Sequence, residues 1–389
     1  MKSSRAVLAF TCFVFVGAAA CGSSSSAPSP DAGSASGSAT SGSRSGAASG
    51  APSGTGGGGS GAGAPSGAGS GSSASGSASG SASGSGASGS GGSGSADDGG
   101  DGGDDAHGVT SSSIKTVFLI LMENHNWSDI SGSASAPYIN GTLLPASSYC
   151  NNYFDNPAGV HPSEPNYLWL EAGDNFGIMN DLDPPINHQA TTSHLVTLLK
   201  NAGVTWMSYQ EDIADTGCPI ASVNRYAPKH NPMVFFDDVV GNPPSATNAY
   251  CAAHMKPFTK LAGDLAAGTV AQYNFLTPNL CNDMHDTCAG DAIKQGDDWL
   301  KANVPAIKAS SSYTSGGAIF ITWDESEGGE FPIGMIVLSP LAKGGGYVSS
   351  TKYYHSSMLR SVQEIFGVTP LLRDAANRPN LSDLFTVCP

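Results

Sequence analysis

Thr116-Val-Phe-Leu-Ile-Leu-Met122 is an unbroken run of β-branched and large apolar side chains, followed at once by the polar Glu123-Asn124-His125. A strand without polar alternation is buried on both faces, as inside a parallel sheet covered by helices. Downstream, residues 205–209, 270–276, 318–323 and 333–338 read as further strands. Residues 194–202, 257–267, 291–308 and 356–366 read as helices. Strand and helix alternating in this way predict an α/β fold, a mostly parallel central sheet with helices on both faces. Ligands of such sheets bind beyond the carboxyl ends of the strands.

The strand ends are where the polar chemistry lies. Glu123 and Asn124 close the first strand, Asp283 and His285 follow the strand ending near Leu276, and Asp324 and Glu325 follow Ile319-Phe-Ile-Thr-Trp323; His355 opens the last helix. One acid after a strand is usually a cap or a solvated loop. Three strand ends that all carry carboxylates would repel one another at a common sheet edge unless a cation sits among them. Oxygen ligands with a few histidines suit a divalent ion, with Mg, Mn, Ca and Zn all open. His125 is expected to be packed or hydrogen-bonded rather than a ligand, Trp127, Trp169 and Trp299 to be core, and Asp297 and Asp298 to form a solvated helix face.

Ala158-Gly-Val-His-Pro-Ser-Glu-Pro-Asn-Tyr-Leu-Trp-Leu-Glu-Ala172 reads as a loop turning into a helix. Ser163 is a favoured N-cap and Pro165 falls in the first turn, where its missing N–H costs nothing. A hydroxyl at that point lies among unpaired amides at the positive end of a helix, a setting that attracts phosphate. On this stretch alone, a plain cap and a nucleophile are equally good descriptions of Ser163.

The remaining composition bounds the setting. Residues 1–20, with Lys2 and Arg5 ahead of an apolar run too short to remain as a membrane span, read as an export signal. Ala-Ala-Ala-Cys21-Gly-Ser resembles a lipoprotein cleavage site, so a lipid on Cys21 is expected, with the protein held at a bacterial cell envelope, as an outer-membrane lipoprotein or else secreted. Residues 22–106 are nearly all Ser, Gly and Ala and cannot bury enough apolar surface to fold. As a disordered tether this tract would reach roughly 50 Å. Residues 107–389 are expected to form one catalytic domain, monomeric. After residue 113 there are 14 Lys and Arg against 26 Asp and Glu, a net −12, and no basic stripe that would suit a nucleic acid. Six cysteines follow Cys21, and six permit fifteen pairings. Proximity suggests Cys281 with Cys288 and Cys218 with Cys251, leaving Cys150 for Cys388. The absence of a paired C-x-x-C argues against a zinc site.

Several motifs together resemble the bacterial phosphoesterase family: Glu-Asn-His at 123–125, His-Pro-Ser-x-Pro-Asn-Tyr at 161–167, Tyr209-x-Glu211, Lys229-His-Asn-Pro232, Pro278-Asn-Leu-Cys-Asn-Asp-Met-His-Asp286, Thr322-Trp-Asp-Glu325 and Tyr354-His-Ser-Ser-Met-Leu-Arg360. The resemblance runs over residues 115–366 in the expected order. It implies an alkaline-phosphatase-like α/β fold and an acid phosphatase or a phospholipase C. It also implies Ser163 as nucleophile, Asn166 steadying a phosphoryl oxygen, and Glu123, Asn124, Ser163, Asp324 and Glu325 around a metal. Asp283, His285 and His355 match the place where two-metal relatives keep a second ion. The wider superfamily has Asp-His where this chain has Asp324-Glu325, and Asp where it has Glu123-Asn124. One ion is therefore expected and a second left open, with His285 and His355 available for phosphate contact or proton transfer. His161 and His230 are expected to touch substrate.

These residues imply an exported, metal-dependent hydrolase of phosphate monoesters acting through a phosphoserine on Ser163. A phospholipase C-type phosphodiesterase and a silent binding lipoprotein are the alternatives. A carboxylester serine hydrolase would need a nucleophile elbow, and the sequence has no G-x-S-x-G.

Overall fold

A computed structural model of the protein describes residues 113–387. The expected export signal, Cys21, the Ser/Gly/Ala tract and Cys388 lie outside the described residues. Eight strands form one sheet: β1 (Thr116–Met122), β2 (Ser148–Cys150), β4 (Trp206–Gln210), β5 (Met255–Pro257), β6 (Tyr273–Thr277), β7 (Gly317–Trp323), β8 (Met335–Leu338) and β9 (Tyr347–Ser349), in the order β5-β4-β6-β1-β7-β8-β2-β9. β8 alone runs against the rest. Two short strands, β3 (Tyr153–Phe154) and β10 (Tyr353–Tyr354), pair in parallel apart from it.

β1 sits near the middle of the sheet, with β6 on one side and β7 on the other. Its register, Leu119 beside Phe275 and Phe320, brings the ends of all three strands level. Every residue from Val117 to Met122 is buried, as a two-faced strand requires. The helices over the sheet include Leu195–Asn201, Leu261–Ala267, Ala292–Ala309 and His355–Ile365. None among the described residues is long and apolar enough to cross a membrane.

The helix Ser163–Ala172, called here the serine helix, is buried on nearly every side; only Trp169 is partly exposed. It starts beside the end of β1 and stops at Gly173, whose φ of 69° closes the last turn. A Cβ on Gly173 would lie 2.6 Å from the Leu372 carbonyl oxygen, so only glycine fits. Near its end, Glu171 accepts the Val196 amide (2.8 Å) and faces His194 Nδ1 (2.9 Å), while His194 Nε2 meets Asp238 (2.8 Å). His194 is fully buried and stacked on Phe236, and the two acids raise its pKa against the opposing effect of burial.

Trp127 and Trp299 are core residues, as expected, while Trp169 keeps partial exposure. Asp297 departs from expectation. It is fully buried and accepts the amides of Tyr138 and Ile139 at the start of the Ile139–Leu143 turn, whereas Asp298 remains at the surface beside Lys294. The disulfides Cys218–Cys251 and Cys281–Cys288 are present, and Cys150 is buried. The segment 257–267 is not one helix: β5 ends at Pro257 and a tight turn precedes Leu261.

Trp127 packs over Gly334, which has φ 79°; a Cβ there would lie 2.1 Å from the indole. Gly334→Ala combines a left-handed backbone with overpacking, and we expect a loss of about 2–4 kcal/mol by urea denaturation. A change below about 0.5 kcal/mol would show that the Trp127 contact is slack.

Candidate active site

Ser163 is the first residue of the serine helix, and Pro162 is the N-cap. Its hydroxyl caps nothing. It is buried and donates to Glu123 Oε2 at 3.2 Å, across from the end of β1. Tyr167, one turn along the same helix face, donates a short hydrogen bond to Glu123 Oε1. The Ser-x-x-x-Tyr spacing was the available signal for this tyrosine, but a plain amphipathic pattern would place it in the core.

Glu123, Asp283, Asp324 and Glu325 converge at the ends of β1, β6 and β7, all buried. The Asp324 amide continues the β1–β7 ladder to Met122 O (2.9 Å), and the Glu123 amide donates to the Asp283 carbonyl (2.8 Å), which locks the acids to the sheet edge. Asn124 takes a left-handed φ of 48° and donates its backbone amide to Asp324 Oδ1 (3.0 Å). Asn166 Nδ2 donates to Glu325 Oε2 (3.0 Å) and to Val160 O, and His161 Nδ1 lies 2.9 Å from Glu325 Oε1. His230 stands between Glu123 (3.3 Å) and Asp283 (3.5 Å), stacked on Tyr167. His285 donates its amide to Asp283 Oδ1 and directs Nδ1 to Asp286. The structure thus gathers Glu123, Asn124, Ser163, Asn166, His161, His230, Asp283, His285, Asp324 and Glu325 in one place.

His355 is positioned differently from an open proton donor or ligand. Its Nε2 lies 2.5 Å from the Asp324 carbonyl oxygen and its Nδ1 3.1 Å from the Tyr153 hydroxyl. Burial lowers its pKa to about 4, and while Nε2 braces the Asp324 carbonyl from behind, Nδ1 is occupied by Tyr153. His125 meets the Asn124 carbonyl and stays half-buried, consistent with a packed residue.

Burial raises the pKa of Glu123, with the neighbouring Asp324 and Asp283 adding to it. It raises Asp283 and Asp324 as well, and Glu325 to about 10 with Asp324 beside it. His230 is driven well below its usual value, first by burial and then by Lys229 and His285. Buried Asp324 Oδ2, Asp283 Oδ2 and His230 Nε2 lack an aligned hydrogen-bond partner. Four acids whose ionisation is opposed by burial and by one another, two of them with unpartnered oxygens, fit a divalent cation. Glu123, His230 and His285 also present ligand atoms within 4.8 Å of one another, a grouping able to hold a metal ion. A cavity of about 510 Å³ among Lys200, Trp206, Tyr250 and His254 lies at the start of β4 and β6, the edge opposite these acids, and contains no nucleophile–acid pair.

A buried hydroxyl at a helix start, facing carboxylates arranged for a cation at the carboxyl edge of a mostly parallel sheet, defines a hydrolase site of the phosphoryl-transfer kind. A model of the Phosphoesterase family matches residues 142–369, and the chain belongs to that family. It is a hydrolase acting on phosphoric ester bonds. Phosphatidylinositol-3-phosphatase of Mycobacterium tuberculosis is 31% identical over 282 residues, covering 72% of this chain and 86% of that one. A probable acid phosphatase of Kluyveromyces lactis is 31% identical over 270 residues, covering 66% of this chain; the alignment spans 59% of that relative. Among solved structures, a protein in the alkaline phosphatase superfamily from Vibrio parahaemolyticus is similar at 12% identity and a TM-score of 0.44, covering 70% of this chain and 73% of that one. Family membership rests on the sequence matches. Glu123 and Asn124 precede the matched span, and the β1–β7 register joins them to Asp324 and Glu325 within it.

Cation-free protein should lose stability as pH rises. An acid with a folded pKa above its ordinary value is stabilising while protonated, and that contribution falls once pH exceeds about 4.5, through about 7 for Asp155, 9 for Glu164 and 10 for Glu325. We expect the Tm after chelation to be higher at pH 5 than at pH 9, and added divalent cation to shrink the difference. Equal melting temperatures at both pH values without cation would contradict this account of the acids.

Proposed function

We propose that this protein is an exported, metal-dependent phosphomonoesterase in which Ser163 is transiently phosphorylated. The observation that carries this is the Ser163 hydroxyl, released from any capping role and hydrogen-bonded to Glu123 within a ring of buried acids. Glu123, Asn124, Ser163, Asp324 and Glu325 would hold the cation, with Asp283, His230 and His285 beside them. When bound, the ion neutralises charge on the phosphoryl group and favours the serine alkoxide at ordinary pH. Ser163 Oγ attacks phosphorus, and its proton leaves along the hydrogen bond to Glu123 Oε2. Asn166 spends its two amide N–H groups on Val160 O and Glu325 Oε2, so it orients Glu325 beside the nucleophile and would have to release one of them to steady a phosphoryl oxygen. His285, still partly exposed and tied through Nδ1 to Asp286, is placed to pass a proton to the departing alcohol. Water then attacks the phosphoserine and releases phosphate, dividing one hard step into two.

Support for a monoester comes from relatives named as a phosphatidylinositol-3-phosphatase and as acid phosphatases. A phospholipase C-type diesterase is the second possibility, and dominant turnover of p-nitrophenyl phosphorylcholine over p-nitrophenyl phosphate would establish it instead. Residues 1–20 would direct export, and a lipid on Cys21 would hold the enzyme at the envelope.

Ser163→Ala should lower turnover of p-nitrophenyl phosphate by about 10³-fold or more with a stability change near 1 kcal/mol, since one buried hydrogen bond is lost. Asp324→Asn should shift the cation concentration for half-maximal rate upward by roughly tenfold or more, with activity partly regained at excess cation. Near-normal turnover in Ser163→Ala would remove the nucleophile from this scheme.

A further inference from the structure

The helix start does not serve the phosphate as its sequence suggested. The Glu164 amide is already taken by Asp181 Oδ1 at 3.0 Å, and Pro165 has no N–H to offer. Of the first three helical residues, only Ser163 retains a free amide. A phosphoryl group bearing two negative charges at this point needs another donor.

Asp181 itself identifies one. Its second oxygen, Oδ2, holds Lys229 Nζ at 2.8 Å, so a single carboxylate ties the start of the serine helix to the Pro228–His230 turn. Lys229 is neighbour in sequence to His230, which stands against Glu123 and Asp283. Its charge is felt at Glu123 and Asp324, and also at Asp283, Glu325 and Glu164. It hydrogen-bonds to none of these acids. One of its three N–H groups is occupied by Asp181, and its side chain keeps 20% exposure, so two donors remain for a ligand entering from solvent. Among the described residues no other Lys or Arg makes an ion pair or hydrogen bond with any member of the Glu123–Asp283–Asp324–Glu325 cluster or with Asp181.

We infer that Lys229, presented by Asp181, is the cationic side chain that binds the non-bridging oxygens of the phosphoryl group, in the place the helix amides leave empty. This deepens the proposed function and rests on it. Lys229 is a substrate-binding residue in this scheme and Asp181 a positioning residue. A bare countercharge for the acid cluster is the competing role. The two differ in what they do to phosphate: a countercharge affects cation binding alone, whereas a ligand-binding lysine sets the affinity for inorganic phosphate, the product.

The test measures inorganic phosphate binding to the cation-loaded protein by calorimetry, together with KM, kcat and phosphate inhibition on p-nitrophenyl phosphate, and cation content as a control. Loss of a charge-assisted hydrogen bond predicts that Lys229→Met weakens phosphate binding and raises KM by about ten- to a hundredfold, with Lys229→Arg recovering part of both. Asp181→Asn keeps an acceptor for the Glu164 amide but loses the charge that holds Lys229. It should raise KM and the phosphate inhibition constant in the same direction by a smaller factor, and it carries the test should Lys229→Met fail to fold. Unchanged phosphate affinity in folded, cation-loaded Lys229→Met, or in Asp181→Asn if the methionine variant does not fold, would overturn the inference while leaving Ser163 chemistry intact. Wild-type protein that neither hydrolyses the ester nor binds phosphate would instead bring down the proposed function, and this inference with it.

Discussion

Four carboxylates meet inside this protein, and among the described residues no lysine or arginine is hydrogen-bonded to any of them. Burial and mutual repulsion both oppose ionisation, so the cluster is held together by the frame and not by its own attraction. The frame is the level registration of β1, β6 and β7, whose backbone hydrogen bonds continue past the strands into Glu123 and Asp324. A sheet edge of this stiffness can keep like charges within a few ångströms of one another, and a cation that enters relieves what the sheet imposes. The serine and the tyrosine behind it both donate to Glu123, and the histidine stacked on that tyrosine stands 3.3 Å from the same carboxylate.

Much of this arrangement was legible because it depends on backbone position along a strand. The all-apolar β1 fixes itself in a sheet interior, and an acid directly after such a strand must emerge at the carboxyl edge. Glu123 and Asp324 were placed in that way, whereas Ser163 stood out only as a helix start, its proposed role being implied by the family resemblance. His355 was harder. Its place at a helix start is visible in the sequence, but which way the ring faces is decided by Tyr153, about two hundred residues away in the chain and on a two-residue strand too short to leave a pattern. Asp297 was misplaced for a related reason: within its helix it looks like part of a charged face, and only the approach of the 138–139 backbone makes it an internal acceptor.

Asp181 and Lys229 show the same limit from another side. Each lies in a stretch without periodicity, where loop residues read as solvated surface. Their meeting is set by two segments leaving different parts of the fold and closing over the beginning of the serine helix. Asn187 reinforces the closure by donating to both oxygens of Glu164. Tertiary placement of loops, rather than any local preference, creates that corner of the site.

The serine helix is fastened at both extremities by acids of its own: Glu164 through Asn187 at the reactive end, and Glu171 through His194 and Val196 at the far one. A rod pinned twice cannot slide or roll, so the Ser163 hydroxyl, the proposed nucleophile, has a fixed address in the molecule. Diversification within such an architecture then falls to the rim. The segment between β4 and the Pro228–His230 turn carries none of the residues gathered around Ser163, so it can vary without retuning the attacking group, whereas the one between β7 and β8 begins with Asp324 and Glu325 and has no such freedom. A fixed attacking end and a separate loop rim thus divide between them the tasks of reacting with a phosphate ester and of admitting it.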